Sequence, residues 1–341
     1  MNFIEVILAL QSPLGTPMKG DTLFGRFCWE IVHSPALLDQ DFDLAIQDYP
    51  QKPFAVFSSA IPCLAPQGHL QTLFFPAPAA PPHVLMPQNN NQPRLERMIQ
   101  ARALKRKKWL TAGPDLTLDP TQALITTETL ASKYLGPDTV PVLTAPRWGN
   151  TINRLTGATG KGEFAPFTES ATHYAPQIKL ALYILHDEQR LSRENLLIGL
   201  NDIGAVGFGK NASTGMGRFT WLSHRDLPTP RQDAHAVYTL APHVPGPTRH
   251  HDKEYAAPFV RFGKHGDRFG LTGNPFKKPV PMADQGAVLT GIRTPLTTPY
   301  VGRAVTHVSQ SARPSPLAGK DNTVHQGFSP YLPINLPRLT P

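Results

Sequence analysis

Gly207-Phe208-Gly209-Lys210-Asn211-Ala212-Ser213-Thr214-Gly215-Met216-Gly217-Arg218-Phe219 is the stretch on which the reading of this chain turns. Four glycines, an amide, two small hydroxyls and two cations are packed together between an apolar run and a strand-like tail. Glycine tolerates positive φ and lets backbones approach closely, so peptide N–H groups are able to turn toward a phosphate. Lys210 and Arg218 add the charge such a site requires. Neither common nucleotide fingerprint fits. Gly207, Gly209 and Gly215 are too widely spaced for G-x-G-x-x-G, and Lys210 follows the second glycine, not the last as a P-loop requires. The expectation is a loop that holds a phosphodiester chain; the alternative is a glycine-rich turn with no ligand.

The flanks place this loop between a helix and a strand. Ser192 is followed by Glu194 and an apolar pattern to Leu200, a short helix opened by a serine cap. Arg218–Leu222 reads as the strand after it, and Ile178–His186 as the strand before. Upstream, Phe3–Leu10 is β-branched and apolar, a strand by type and length. Leu23, Phe27 and Ile31 recur every four residues in Gly20–Val32, with Phe24 and Cys28 beside them, which predicts an amphipathic helix on a sheet. Phe54–Ile61 reads as a further strand. Strand–helix–strand twice over is the β-α-β-β-α-β plan of an α+β fold. A weaker second cycle starts after a proline-rich boundary near Leu227–Arg231, with pieces at Ala236–Leu240, Phe259–Gly263, Ala287–Ile292, Tyr300–Val305 and Tyr331–Leu336. The expected units are therefore 1–226 and 227–341.

Three further segments carry chemistry. Lys19, Gly20 and Asp21 open the first helix, and a helix N-terminus beside a lysine is a phosphate contact as well as a plain helix start. Arg147-Trp148-Gly149-Asn150-Thr151-Ile152-Asn153-Arg154-Leu155-Thr156-Gly157 runs on through glycines to Phe164 and reads as a β-hairpin with Arg147, Asn150 and Arg154 on its polar face. Trp148 is a stacking candidate, though tryptophan more often packs on protein. Arg94–Leu110 reads as a basic helix, with Lys105, Arg106, Lys107 and Lys108 in a row; RNA, an acidic partner subunit or a solvated face all suit it.

The 341 residues carry 33 Lys and Arg against 25 Asp and Glu, a net charge of +8, and so favour an anionic partner. No apolar run approaches a membrane span, and the first strand carries Glu5 with no basic leader, so a cytoplasmic protein is expected. Cys28 and Cys63 suggest neither a disulfide framework nor a metal knuckle. His250-His251-Asp252 lacks helical H-x-x-x-H spacing, so no metal and no cofactor is expected. The 37 prolines, about twice the usual share, predict long extended loops.

Gly20–Gly25 at the first helix start, Asn150–Gly157 in the hairpin and Ser213–Phe219 together resemble the RAMP proteins of type III CRISPR–Cas effector complexes. Within these the chain looks most like the fourth Csm-type subunit of type III-A complexes, of the Cas-five group. Tyr300-Val301-Gly302-Arg303 and His325-Gln326-Gly327 are compatible with the second half of that family. The resemblance implies two ferredoxin-like (RRM-like) domains with β-hairpin and proline-rich insertions. It implies a non-catalytic subunit holding the 5′ handle of CRISPR RNA, beside a large Cas-ten-type subunit and a Cas-seven-type backbone subunit. Gly207, Gly209, Gly215 and Gly217 would bring amides to phosphates, Lys210 and Arg218 would neutralise them, and Arg147 and Arg154 would close the groove. Asn150, Thr156, Asn211, Ser213 and Thr214 would bond sugars and base edges. The competing class is a CRISPR RNA-processing endoribonuclease of the Cas-six type, with His33 as the proton shuttle.

Overall fold

The strand Asn2–Leu10 (β1) is buried without a break from Phe3 to Leu8, as expected of a central strand paired along both edges and covered on both faces. A computed structural model describes residues 1–86, 92–246, 251–267, 270, 274–292, 294–310 and 323–337. After β1 the helix Gly20–His33 (α1) buries Leu23, Phe24, Phe27 and Ile31, the face its four-residue spacing marks out. The predicted strand over Phe54–Ile61 is two short ones, Ala55–Phe57 (β2) and Ile61–Leu64 (β3), with Ser58 and Ser59 between them. Ser58 turns its hydroxyl to accept from the Tyr183 amide at 2.8 Å, which interrupts the ladder.

Thr72–Pro76 (β4) follows, then the helix Arg94–Arg106 (α2) and two strands, Trp109–Ala112 (β5) and Leu124–Ile125 (β6). The basic helix is shorter than the spacing predicts. Lys107 is extended, and the strand network takes up Lys108: its amide donates to the Ile125 carbonyl at 3.0 Å and its carbonyl accepts from Ala77 at 2.9 Å. Lys107 and Lys108 therefore leave the helix that carries Lys105 and Arg106.

Val142–Gly149 (β7) and Phe167–Tyr174 (β8) pair antiparallel as a separate two-stranded ribbon. The stretch read as a hairpin is the far half of this ribbon, and residues 150–166 form its distal end. Ile178–His186 (β9), Arg193–Val206 (α3) and Phe219–Leu227 (β10) complete the first unit. Ser192 caps α3, accepting from the Asn195 amide at 3.2 Å, and the helix runs on to Gly207, whose amide closes it onto Ile203.

The main sheet has the order β10-β1-β9-β3-β4-β5-β6, with β2 also on β9. Its first four places put the last strand of the unit beside the first, then the third, then the second, all antiparallel. That is the order two crossover helices on one face impose. One polar group is buried on β1: Glu5 accepts from the Tyr183 hydroxyl at 2.9 Å and pairs with Arg225 at 3.1 Å.

The second half builds a smaller sheet from Ala236–Thr239 (β11), Lys253–Tyr255 (β12), Val288–Thr290 (β15), Tyr300–Gly302 (β16) and Phe328–Pro333 (β19). Its order is β12-β15-β11-β19-β16, antiparallel throughout. Read from β19 to β12, the strands again run last, first, third, second. No helix follows β11 or β15 among the described residues; small ribbons are inserted instead between β12 and β15, Pro258–Arg261 (β13) with Val280–Ala283 (β14), and between β16 and β19, Val305–Thr306 (β17) with Val324–His325 (β18).

The two halves share one core, in which Tyr238, Leu240, Val288, Phe328 and Leu332 join the residues of α1 and the main sheet. Polar stitches cross the same boundary. The buried Gln326 side chain accepts from the Phe57 amide at 3.0 Å and donates to the Phe57 carbonyl at 2.8 Å, replacing a strand partner for β2. Ser59 donates its amide to the Leu240 carbonyl at 2.9 Å. The two second-half motifs meet each other: Arg303 donates its amide to the Gly327 carbonyl at 3.0 Å, and Gly302 pairs in register with Phe328.

Candidate nucleic-acid interface

The glycine-rich stretch is a tight turn anchored by three buried apolar side chains, Phe208, Met216 and Phe219. These pin residues 207–219 to the end of the main sheet and leave the middle outward. Two of its glycines serve packing and not ligand approach. A Cβ at Gly217, which has φ +72°, would overlap the Phe208 carbonyl oxygen, and one at Gly207, with φ +110°, would overlap the Met216 carbonyl oxygen. Their amides are committed as well, Gly207 to Ile203 and Gly217 to the Pro13 carbonyl at 2.8 Å.

Most other amides of the turn are also taken. Phe208 donates to Gly217, Thr214 and Met216 to Asn211, Gly215 to Ala212, Lys210 to the Thr16 hydroxyl at 2.9 Å and Arg218 to the Ser12 hydroxyl at 2.8 Å. Those of Gly209, Asn211, Ala212 and Ser213 have no protein acceptor among the described residues. Asn211 adopts the left-handed conformation, φ +63°, and starts a single 3-10 turn over Ala212–Thr214. The free donors are thus a compact group at the outer tip, where Ser213 and Thr214 are exposed.

Residues 11–16 were missed as part of this site, and they hold it together. Ser12 and Thr16 take amides from the turn, while Leu14 exchanges both backbone hydrogen bonds with Thr172 of β8, at 3.0 and 2.9 Å. The same short segment therefore fixes the glycine-rich turn on one side and the ribbon on the other. Glu169 of β8 was also missed. It accepts from the Asn211 side chain and pairs with Lys210 at 2.8 Å, and it stands opposite Arg147 in the ribbon register. The Lys210 and Asn211 groups around it hold its carboxyl below the usual range. Glu169 lies beyond Phe164, where the hairpin reading ends, so nothing in the pattern pointed to it.

The ribbon carries its apolar side chains in the open. Trp148 is 76% exposed and Leu155 is 96% exposed, with Ile152 and Phe167 exposed too. Asn150, Arg154 and Thr156 are exposed on the distal end, where the Asn153 side chain accepts from the Leu155 amide at 2.9 Å and shapes a small turn. Lys210, Asn211 and Arg147 are thus gathered around Glu169, and Ser213, Thr214, Gly215 and Arg218 lie on the same turn. Arg154, Asn150 and Thr156 stand further out on the ribbon.

Three predicted contacts are placed elsewhere. Gly20 is buried, and a Cβ there would overlap the Phe57 carbonyl oxygen. Asp21 is buried at the boundary between the halves, paired with Arg261 at 2.6 and 3.0 Å and with His325 at 3.4 Å. Burial alone would raise its pKa, but His325 and Arg261 outweigh this and hold the carboxyl below its ordinary value. Lys19 pairs with Asp284 at 2.5 Å, and its ammonium lies over the Phe259 ring at 5.1 Å from the centroid. Gly20 and Asp21 present no group to a ligand, because the helix start they form is used to join the two halves.

His33 ends α1 and pairs with Asp267 at 2.6 Å, beside the Trp29 ring. The helix length puts it about 20 Å along α1 from Lys19. Of the histidine cluster, His250 lies outside the described residues. His251 and His243 flank Glu254, the latter at 2.9 Å; burial raises the Glu254 pKa, but the two imidazoles bring it down to about 2. No group of three His, Cys, Asp or Glu side chains among the described residues is arranged to hold a metal. No helix among them is long and apolar enough to cross a membrane.

No protein-family model matches the chain, and no curated protein matches it in sequence. Solved structures do match. A chain of the Csm1-Csm4 cassette in complex with pppApA aligns with a TM-score of 0.56 at 14% identity, covering 99% of this chain and 100% of that one. A chain of the same cassette in complex with cA4 aligns at 0.55, with 14% identity and the same coverage. A chain of the Csm3-Csm4 subcomplex in the type III-A CRISPR-Cas interference complex aligns at 0.55, with 12% identity over 98% of this chain and 100% of that one. At such identities the likeness is one of fold, and Csm4 is the component both assemblies have in common. Over almost its whole length, the chain has a fold similar to that of a Csm4-like RAMP subunit of type III CRISPR–Cas complexes.

Proposed function

We propose that this protein is a non-catalytic, RNA-binding subunit of a type III-A CRISPR–Cas interference complex, and that it holds the 5′ repeat-derived handle of the CRISPR RNA. In this reading its two sheets are two ferredoxin-like units, the second lacking crossover helices among the described residues. Its partners are a large Cas-ten-type subunit and a Cas-seven-type backbone subunit, and it acts in the cytoplasm. The observation that carries the reading is the convergence of the glycine-rich turn and the ribbon on residues 11–16 and Glu169. Supporting it are four amides of the turn without a protein acceptor among the described residues, the exposed Ser213, Thr214 and Arg218, and Lys210 and Arg147 on either side of Glu169.

Single-stranded RNA is held by cations and donors along its backbone and by planar side chains on unstacked bases. Lys210 spends one donor on Glu169 and keeps two, so Glu169 aims the ammonium without silencing it. Arg218 is exposed and has its amide fixed by Ser12, so its side chain starts from a rigid point. Trp148 and Phe167 supply exposed aromatic faces at the ribbon. Arg154, on the distal end, extends the surface outward.

Lys210→Ala with Arg218→Ala is expected to weaken binding of a repeat-derived RNA at least tenfold at low salt. Two lost phosphate contacts should also reduce the slope of log affinity against log salt by about 1.4. Fluorescence anisotropy over a salt series checks both. Affinity within twofold of wild type and an unchanged slope would remove the RNA assignment.

A further inference from the structure

α2 is a helix whose first two turns touch little of its own protein. Residues 94–100 are exposed all round, and Leu104 is the buried anchor at the far end. Leu95, Met98 and Ile99 are 68, 48 and 58% exposed. With Arg102 and Arg106 they recur at the i, i+3, i+4, i+7 and i+11 spacing of one helix face. Leu104 is nine positions from Leu95, half a revolution away, and so points into the body while this face points out.

The face is apolar at one end and cationic at the other, and its surroundings are strongly positive. Arg94, Arg97, Arg102, Lys105 and Arg106 stand on the helix against Glu96, and none of these cations is in ion-pair distance of a carboxylate among the described residues. Leaving three large apolar side chains in the open is costly to solubility and brings no gain in packing.

We infer that this face of α2 docks into an apolar groove rimmed by acidic side chains on another protein subunit of the complex. Amphipathic helices engage such grooves through anchors at this spacing, with the charges at the rim setting orientation. RNA is the less suitable occupant. Phosphate and ribose have nothing to offer Leu95, Met98 and Ile99, and the face has no aromatic ring for a base to stack on. This inference rests on the reading of the chain as a subunit of a type III-A complex, but not on the glycine-rich turn.

The test uses the full chain and, as probes, the purified large subunit and the purified backbone subunit of the type III-A complex of the same organism, each immobilised separately. Leu95→Gln with Ile99→Gln keeps good helix formers at exposed positions, and Arg102→Glu with Arg106→Glu reverses the charged end. Thermal unfolding of both variants is expected to match wild type. Each double variant is expected to bind one of the two subunits at least tenfold more weakly than wild type, with affinity for repeat-derived RNA unchanged. Subunit binding at wild-type strength in both variants overturns the docking face. Loss of RNA affinity with subunit binding retained overturns it in favour of an RNA contact. A wild-type chain that binds neither subunit overturns it together with the complex-subunit reading, whereas loss of the Lys210 and Arg218 effect alone leaves it standing.

Discussion

Asp21→Ala is expected to lower the unfolding free energy by about 3–5 kcal/mol, the range for breaking a buried ion pair from one side. Asp21 is 3% exposed and lies between Arg261 and His325, which belong to the second half of the chain. Removing the carboxylate leaves the Arg261 guanidinium beside a cavity with no acceptor, although the Phe259 ring still lies under it at 5.0 Å from its centroid. The double variant Asp21→Ala with Arg261→Met should recover part of the loss, since no stranded charge then remains. Urea unfolding at neutral pH measures both.

The same pair predicts acid sensitivity with a defined sign. Burial opposes ionisation of Asp21, yet His325 and Arg261 hold its folded-state pKa below the ordinary value. The stabilisation is therefore fully present above the unfolded value of about 3.9 and is lost as pH falls through the lower, folded one. The stability gap between wild type and Asp21→Ala should narrow over that acid window. A loss below about 1 kcal/mol at neutral pH would mean the junction is not held by this pair.

Gly217→Ala is expected to cost about 2–4 kcal/mol, combining a left-handed backbone for a residue with a Cβ and an overlap with a fixed backbone atom. The atom in the way is the Phe208 carbonyl oxygen, and Phe208 is itself buried and bonded back to Gly217 through its amide at 3.0 Å. Relief would require the two arms of the turn to separate, which would also withdraw Met216 from the core. Gly215 supplies the comparison: its φ is +88°, but a Cβ there meets nothing within 4 Å. Gly215→Ala should therefore show only the backbone preference, about 1 kcal/mol. Equal unfolding midpoints for the two alanine variants would refute the close-packed account of the turn.

The first unit was legible because its elements have a buried face that imposes a period. Leu23, Phe27 and Ile31 mark α1, the apolar run marks β9, and Ser192 marks the start of α3, whose end the pattern puts at Leu200 although the helix runs to Val206. The ribbon was only half legible, since β8 has Ala171 buried and little else, and so carries no alternation to read. In the second half most strands are two to four residues long, shorter than any periodic signal. There no helix follows β11 or β15 among the described residues, so the helical period that marks α1 has no counterpart.

The turn's residue types pointed to donors and cations, and the structure keeps both while reassigning two glycines to packing. Glu169, Ser12 and Thr16 could not be found from spacing, because each contacts the turn from a distant part of the chain. Asp21 misled for the opposite reason. A polar residue at a helix start reads as exposed, and only the fold shows Arg261 and His325 closing over it.

The most direct measurement is photocrosslinking of a repeat-derived RNA carrying 4-thiouridine to the full chain, with the linked peptides read by mass spectrometry. The expected result is crosslinks within residues 209–218 of the turn and 147–156 of the ribbon, both lost in Lys210→Ala with Arg218→Ala. Crosslinks confined to the second sheet or to α2, with turn and ribbon unlabelled, would contradict the account.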